Sequence, residues 1–267
     1  MRKRIDTRSA IILGLLGFAA LLLPLAPTQA RAAAGCGDVD SDLDGFTDYL
    51  ECTGIPLTGG GSFQTTGQNV RDLFVILVRA TPSNIPSSPF DPFALARNLG
   101  INIQVIEASA VTADRLVSPT SIQKAVKITE DLSTSVVEVG SSTPGIPSGR
   151  DEAKIYTIRI WQKLVEACPC LANNSCGTSC KATSGESTPA TLYQLYIQNV
   201  IAHELGHLIR PLHYPYSSKL ENHYQEGKYL IMERSIVATR NRQTGVVTIP
   251  ISKVYGPEDI GNIKLLP

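Results

Sequence analysis

The stretch His203-Glu204-Leu205-Gly206-His207-Leu208-Ile209-Arg210-Pro211-Leu212-His213 holds three of the four histidines in the chain. On a helix, His203 and His207 lie one turn apart on the same face, because four residues overshoot a full turn by only about 40°. Their imidazoles can therefore bind one metal ion. Glu204 projects about 100° away from His203, where its carboxylate can take a proton from a water molecule on that ion. The pattern predicts a helix that carries a catalytic metal site.

The same stretch resembles the signature of the metzincin clan of zinc endopeptidases, His-Glu-x-x-His-x-x-Gly-x-x-His followed by a methionine-containing turn. The resemblance implies that His203, His207 and His213 bind zinc and that Glu204 is the general base. It also implies a two-lobed α+β domain. Its upper lobe would be an α/β-type layer with a twisted mixed sheet, the zinc helix would cross the cleft, and a helix would end the chain.

Two positions differ from the pattern of the family. Arg210 replaces the glycine at which the chain leaves the helix, although the following Pro211 still favours a turn toward His213. Arg234 stands where some members have a tyrosine, so no role for a tyrosine is expected. Met232, nineteen residues beyond His213, matches the methionine that packs beneath the metal in this family, with an ordinary core methionine as the alternative.

Other functions compete with the zinc peptidase. A second kind of zinc peptidase would use Glu221 or Glu226 as the third ligand instead of His213. A non-catalytic calcium- and zinc-binding surface module is the other alternative, but a purely structural zinc site would not need Glu204. Three neutral imidazoles leave zinc with an open position, as in catalytic sites. The sequence contains no Gly-x-Ser-x-Gly motif, which argues against a serine hydrolase of that class.

Composition limits the partners. The chain has 267 residues, of which 43% are hydrophobic, and its formal net charge is zero. Such a chain can bury a substantial core, and nothing in its charge favours nucleic acid or an anionic membrane. A protein or peptide substrate is the expected partner. The predicted segments are a signal peptide at 1–34, a calcium-binding segment at 35–55, a linker at 56–70 and the catalytic domain at 71–267.

Residues 1–34 have the features of an export signal: a basic start, an apolar run from Ala10 to about Leu25, and the small residues Ala32, Ala33 and Ala34 near the end. The mature protein is therefore expected to be secreted or periplasmic, without stable membrane insertion. An uncleaved anchor helix is one alternative. Lipid attachment at Cys36 is another, because Ala33-Ala34-Gly35-Cys36 loosely resembles a lipobox.

All cysteines follow the predicted signal, and their even number favours three disulfides in an exported protein. They are Cys36, Cys52, Cys168, Cys170, Cys176 and Cys180. The first two bracket one segment and are expected to pair. In the second group, each of the first two cysteines is expected to bond one of the last two. A structural zinc site on four thiolates is the alternative.

An acidic stretch directly after the signal fits the twelve-residue calcium loop. Its carboxylates at positions 1, 3, 5, 9 and 12 are Asp40, Asp42, Asp44, Asp48 and Glu51, with the Phe46 carbonyl at position 7 and Gly45 at the sharp turn. The stretch resembles the calcium repeats of dockerins and thrombospondin type 3 modules, which implies a structural Ca²⁺ ion beside the catalytic Zn²⁺. An acidic solvated linker is the alternative.

The remaining elements are predicted from apolar periodicity and from helix signals. Strands are expected at 73–78 (central and covered on both faces), 101–106, 135–139 and 246–251. Helices are expected at 93–99, weakly at 121–131, from Pro189 to about Ile209, and from Pro257. The stretch 155–165 fits both a strand and a helix.

Overall fold

A computed structural model describes residues 36–65, 67, 69–87, 89–143, 152–209 and 238–251. The helices are α1 (Asp48–Thr53), α2 (Thr157–Ala167) and α3 (Pro189–Leu208), with short 3₁₀ turns at Ala96–Leu99, Ala108–Ala110 and Pro169–Asn173. The strands are β1 (Ile55–Pro56), β2 (Ser62–Phe63), β3 (Asp72–Val78), β4 (Asn102–Ile106), β5 (Val126–Asp131), β6 (Gly140–Thr143), β7 (Glu152–Tyr156), β8 (Cys180–Ala182), β9 (Thr239–Arg240) and β10 (Val247–Ile249).

The main sheet has five strands in the order β4-β3-β5-β7-β6. The first four run parallel, and the edge strand β6 runs antiparallel to β7. A smaller sheet has the order β8-β10-β9, and β1 pairs with β2 in a hairpin. Helices together with this mixed sheet confirm the predicted α+β class.

Strand β3 is central and buried on both faces, as its continuous apolar run predicts. Leu73 and Val75 contribute to one hydrophobic core, and Phe74 and Ile76 to another. Successive side chains of a strand point to opposite faces, so this alternation shows that each face of the sheet has its own cover.

Helices α2 and α3 cover the first face. Their buried residues Ile160, Leu164, Leu192, Ile197 and Ile201 belong to the same core as Leu73 and Val75. Burying a large aliphatic side chain contributes roughly 1.5–3 kcal/mol. This packing fixes which side of α3 faces the sheet.

The N-terminal segment covers the second face. Phe46 and Ile55 are buried with Phe74 and Ile76, and the ring of Phe74 makes edge-on contacts with the rings of Phe46 and Phe63, at centroid distances of 5.5 and 5.2 Å. Gly35–Pro267 forms one compact unit. The predicted calcium segment is therefore packed against the sheet, and the stretch predicted as a linker contains β2 and part of β1.

Two secondary-structure predictions are wrong. The sequence predicts a weak helix at 121–131, but 126–131 form β5, in which Val126, Ile128 and Glu130 are buried and alternate with half-buried residues. This alternation with a period of two residues is typical of a half-buried strand and not of a helix. The strand predicted at 135–139 forms later, as β6 at Gly140–Thr143. It begins at a glycine because side chains of α3 pack closely against that position.

Other predictions are confirmed. The 3₁₀ turn at Ala96–Leu99 ends at Gly100 in the left-handed conformation, and strands form within 101–106 and 246–251. The stretch 155–165, which fits both a strand and a helix, contains part of each: β7 ends at Tyr156 and α2 begins at Thr157. The predicted signal peptide and the helix expected from Pro257 lie outside the described residues.

Three disulfides join the cysteines, and they confirm both groups of predicted pairs. The bonds are Cys36–Cys52, Cys168–Cys180 and Cys170–Cys176. The last two exclude a four-thiolate zinc site. Disulfides fit an extracellular, oxidising location. Within the part of the chain that the structure describes, no helix is both long and apolar enough to cross a bilayer.

A buried carboxylate, Glu130 at the end of β5, organises the loop after β3. It accepts hydrogen bonds from the Ala80 amide (3.1 Å), the Asn84 amide (2.7 Å) and the Thr157 hydroxyl (3.0 Å), and from the Ser83 hydroxyl. Glu130→Ala is expected to lower the free energy of unfolding by about 3 kcal/mol, since these donors lose their acceptor. Urea unfolding measures the change.

Glu138→Ala is the matched control, because Glu138 is exposed and surface substitutions usually change stability by no more than about 0.5 kcal/mol. Equal stability of the two variants would contradict the role assigned to Glu130.

Candidate functional site

Helix α3 carries the first group of candidate residues. The Thr188 side chain accepts a hydrogen bond from the Thr191 amide, and Pro189 occupies the first turn, so the helix begins where the sequence predicts. It continues without interruption to Leu208 and includes His203, Glu204 and His207.

The two helical histidines face each other. Their Nε2 atoms lie 3.1 Å apart, and their rings are nearly perpendicular, with centroids separated by 4.7 Å. Both residues are half-buried. The structure thus brings together two nitrogen atoms of the type that commonly bind transition metals.

Glu204 lies between the two histidines in sequence and is only 5% exposed. Burial raises the pKa of its carboxyl group to about 7, and a hydrogen bond with the Ser142 side chain opposes that shift. Its side chain packs against the edge strand β6: a β-carbon added at Gly140 would lie 2.6 Å from Glu204 Oε1. Gly140 and Ser142 therefore position this carboxylate, and no motif or spacing in the sequence pointed to either residue.

Several predicted site residues cannot be placed. His213, Met232 and the alternative ligands Glu221 and Glu226 all lie outside the described residues. The third zinc ligand and the methionine beneath the metal therefore remain sequence predictions.

The acidic loop forms a second group of candidate residues. Carboxylate oxygens of Asp40, Asp42 and Asp44 lie within 4.8 Å of one another. Carboxylate oxygens of Asp44, Glu51 and Asp72 also lie within 4.8 Å of one another, so the two groups share Asp44. Four of the predicted calcium ligands therefore converge, and they are joined by a residue of β3 that the sequence analysis missed.

Asp48 and Phe46, the residues of the other two predicted ligands, make hydrogen bonds with other residues of the loop. Asp48 accepts hydrogen bonds from the Ser41 amide (3.0 Å) and hydroxyl (2.8 Å). Phe46 buries its ring in the core, and its amide donates to Asp44 Oδ1 at 2.9 Å. Both contacts hold the loop in its turn.

The acidic group is deeply buried. Asp44 and Asp72 are 0% exposed and Glu51 is 4% exposed. Burial raises the pKa of Glu51 to about 8, of Asp44 to about 7 and of Asp42 to about 6, and neighbouring carboxylates add to each of these shifts. Burial also raises the pKa of Asp72. Without a cation, the fold disfavours the charged forms of these groups.

The sequence contained only a weak indication that Asp72 could be a metal ligand. It directly precedes the apolar run of β3, where an acidic residue has no obvious partner. Its closeness to the loop depends on how the segment before β3 folds back across the sheet, which spacing alone does not reveal.

The two groups differ in chemistry. The group on α3 offers imidazole nitrogens beside a buried carboxylate, whereas the group at the loop and β3 offers only carboxylate oxygens. Nitrogen donors suit zinc and oxygen donors suit calcium. Comparisons of the chain with protein-family models, with curated proteins and with solved structures found no match.

Proposed function

We propose that this protein is an exported zinc-dependent endopeptidase, in which His203, His207 and His213 bind the metal and Glu204 is the general base. The observation that carries the proposal is the 3.1 Å separation of the Nε2 atoms of His203 and His207. Two nitrogens on one tetrahedral zinc ion, each about 2.0–2.1 Å from it, are about 3.3 Å apart. The helical pair therefore fits the ion with little adjustment.

The third ligand is assigned from sequence. His213 follows His207 by six residues, and Pro211 favours a turn between them. Three neutral imidazoles would leave one position of the metal open for water or substrate, as a catalytic site requires. Glu221 and Glu226 are the alternative donors.

When bound, zinc would supply Lewis-acid chemistry by acidifying a water molecule and polarising the peptide carbonyl. Glu204 would accept the proton of that water on a carboxylate oxygen and return it to the leaving amine. Its neighbours fix its position, because Gly140 leaves room for the side chain and Ser142 binds it. The buried face of α3 keeps the helix from rotating.

The test combines metal analysis with a protease assay. The mature protein is expected to contain about one zinc ion and to digest casein, and 1,10-phenanthroline is expected to abolish the digestion until zinc is added back. This chelator is preferable to EDTA, which would also remove calcium. Zinc binding without hydrolysis of any unfolded protein would favour the non-catalytic module, and phenanthroline-resistant activity would exclude the proposed metal.

Gly140→Ala tests how Glu204 is positioned. The new β-carbon would lie 2.6 Å from Glu204 Oε1 and 2.8 Å from both Glu204 Cγ and Val200 Cγ1. Such crowding costs about 1–3 kcal/mol and displaces the carboxylate, so kcat/KM is expected to fall about tenfold or more with zinc retained. Misplacement of a catalytic group by about 1 Å can already reduce the rate by about 10²-fold.

Gly67→Ala is the matched control, because a β-carbon there would have nothing within 4 Å. It is expected to leave kcat/KM unchanged. Full activity of Gly140→Ala would show that β6 does not position Glu204.

A further inference from the structure

The acidic loop after Cys36 does not hold its carboxylates alone. Asp44 and Glu51 of the loop converge with Asp72 at the start of β3, and Asp44 also converges with Asp40 and Asp42. The Asp72 amide donates to Asp44 Oδ2 at 2.6 Å, which joins the loop directly to the strand.

Asp72 is held in a fixed orientation. Its Oδ1 accepts hydrogen bonds from Asn102 Nδ2 at 2.8 Å and from Gln104 Nε2 at 2.7 Å. Its Oδ2 is buried and has no hydrogen-bond partner. Two amides on β4 thus orient the carboxylate while its second oxygen remains available, as outer-shell partners of metal ligands do.

Four further buried carboxylate oxygens also lack a hydrogen-bond partner. Both carboxylate oxygens of Glu51 and both of Asp42 have no hydrogen-bond partner. Buried polar atoms are nearly always satisfied, and leaving one unpaired costs about 1–3 kcal/mol, more for a charged group. These five unpaired carboxylate oxygens belong to two converging groups that share Asp44, which is an arrangement that a bound cation would satisfy.

We propose that Asp72 completes a calcium site with Asp40, Asp42, Asp44 and Glu51, so that the ion joins the N-terminal loop to the first strand of the sheet. Calcium takes six to eight oxygen ligands in flexible geometry, and five carboxylates can supply them. Magnesium requires stricter octahedral geometry and retains several waters. The site contains no nitrogen or sulfur donor among these five residues, which disfavours zinc.

The surrounding contacts show what the ion would stabilise. Gln123 Nε2 donates to the Asp44 carbonyl at 2.6 Å and to the Asp72 carbonyl at 2.9 Å. Arg71 Nε donates to the Asp42 carbonyl at 2.9 Å. Calcium would therefore add a strong link at a junction that backbone and side-chain hydrogen bonds already define.

Calcium titration of the mature protein tests the proposal independently of proteolysis. Isothermal titration with CaCl₂ alone, at constant zinc, is expected to show binding that Asp72→Asn weakens by about 10- to 100-fold, because a charged ligand becomes a neutral one. Asp38→Asn is the control: it makes the same change at an exposed residue just before the loop, and it is expected to leave the affinity unchanged. Wild-type affinity in Asp72→Asn, or the absence of calcium binding in the unmodified protein, would overturn the proposal.

Gln104→Met provides a second test that keeps all five carboxylates. It removes one of the two amides that orient Asp72, and calcium affinity is expected to fall about tenfold. If Asp72→Asn does not fold, this variant decides: a weakened affinity supports Asp72 as a ligand, and an unchanged affinity contradicts it.

Discussion

Replacing Glu204 by glutamine is expected to reduce casein hydrolysis by roughly 10²- to 10⁴-fold while zinc remains bound. Glutamine keeps the size of the side chain but cannot accept the proton of the attacking water. Because the Glu204 side chain on α3 is 95% buried and packs against β6, the amide is expected to occupy the same space. The measurements are kcat/KM and the zinc content of the purified variant.

Glu138→Gln controls for the change of charge, since Glu138 is exposed and lies just before β6. It is expected to digest casein at the wild-type rate. A Glu204→Gln variant with normal activity would end the assignment of Glu204 as the base, and one that lost its zinc would show that the residue supports the metal site instead.

His207→Ala is expected to lower zinc affinity by more than about 100-fold and to abolish proteolysis. The change removes one of the two Nε2 atoms that lie 3.1 Å apart, and the remaining donors cannot complete the site. Zinc content after dialysis and the rate of casein digestion measure the effect.

The same assays identify the third ligand. His213→Ala is expected to behave like His207→Ala, whereas Glu226→Ala is expected to retain zinc. His223→Ala is the control for loss of a histidine outside the motif, and it too is expected to retain zinc. Zinc loss in Glu226→Ala with retention in His213→Ala would identify the other class of zinc peptidase.

Local patterns in the sequence predicted the elements that carry the candidate site. The cap at Thr188 and Pro189 defines where α3 begins, and the apolar run of β3 predicts a strand covered on both faces. Each of these signals lies within a few neighbouring residues, so spacing alone is sufficient to read it.

Contacts between distant segments could not be predicted in this way. Asp72 meets Asp44 across 28 residues, and Gly140 meets Glu204 only because β6 pairs at the edge of the sheet. The individual pairs among the last four cysteines were also undetermined, since the spacing allowed either partner for Cys168. These two contacts and the cysteine pairing all depend on how separate parts of the chain pack in space.

The second face of the sheet has a practical consequence for expression of the protein. A chain that started at residue 71 would keep α3 but would lose Phe46, Ile55 and Phe63, which pack against Phe74. Phe74 and Ile76 would then lose part of their apolar cover, and exposed apolar patches of this kind promote aggregation. Truncation at the apparent domain boundary is therefore expected to yield insoluble material.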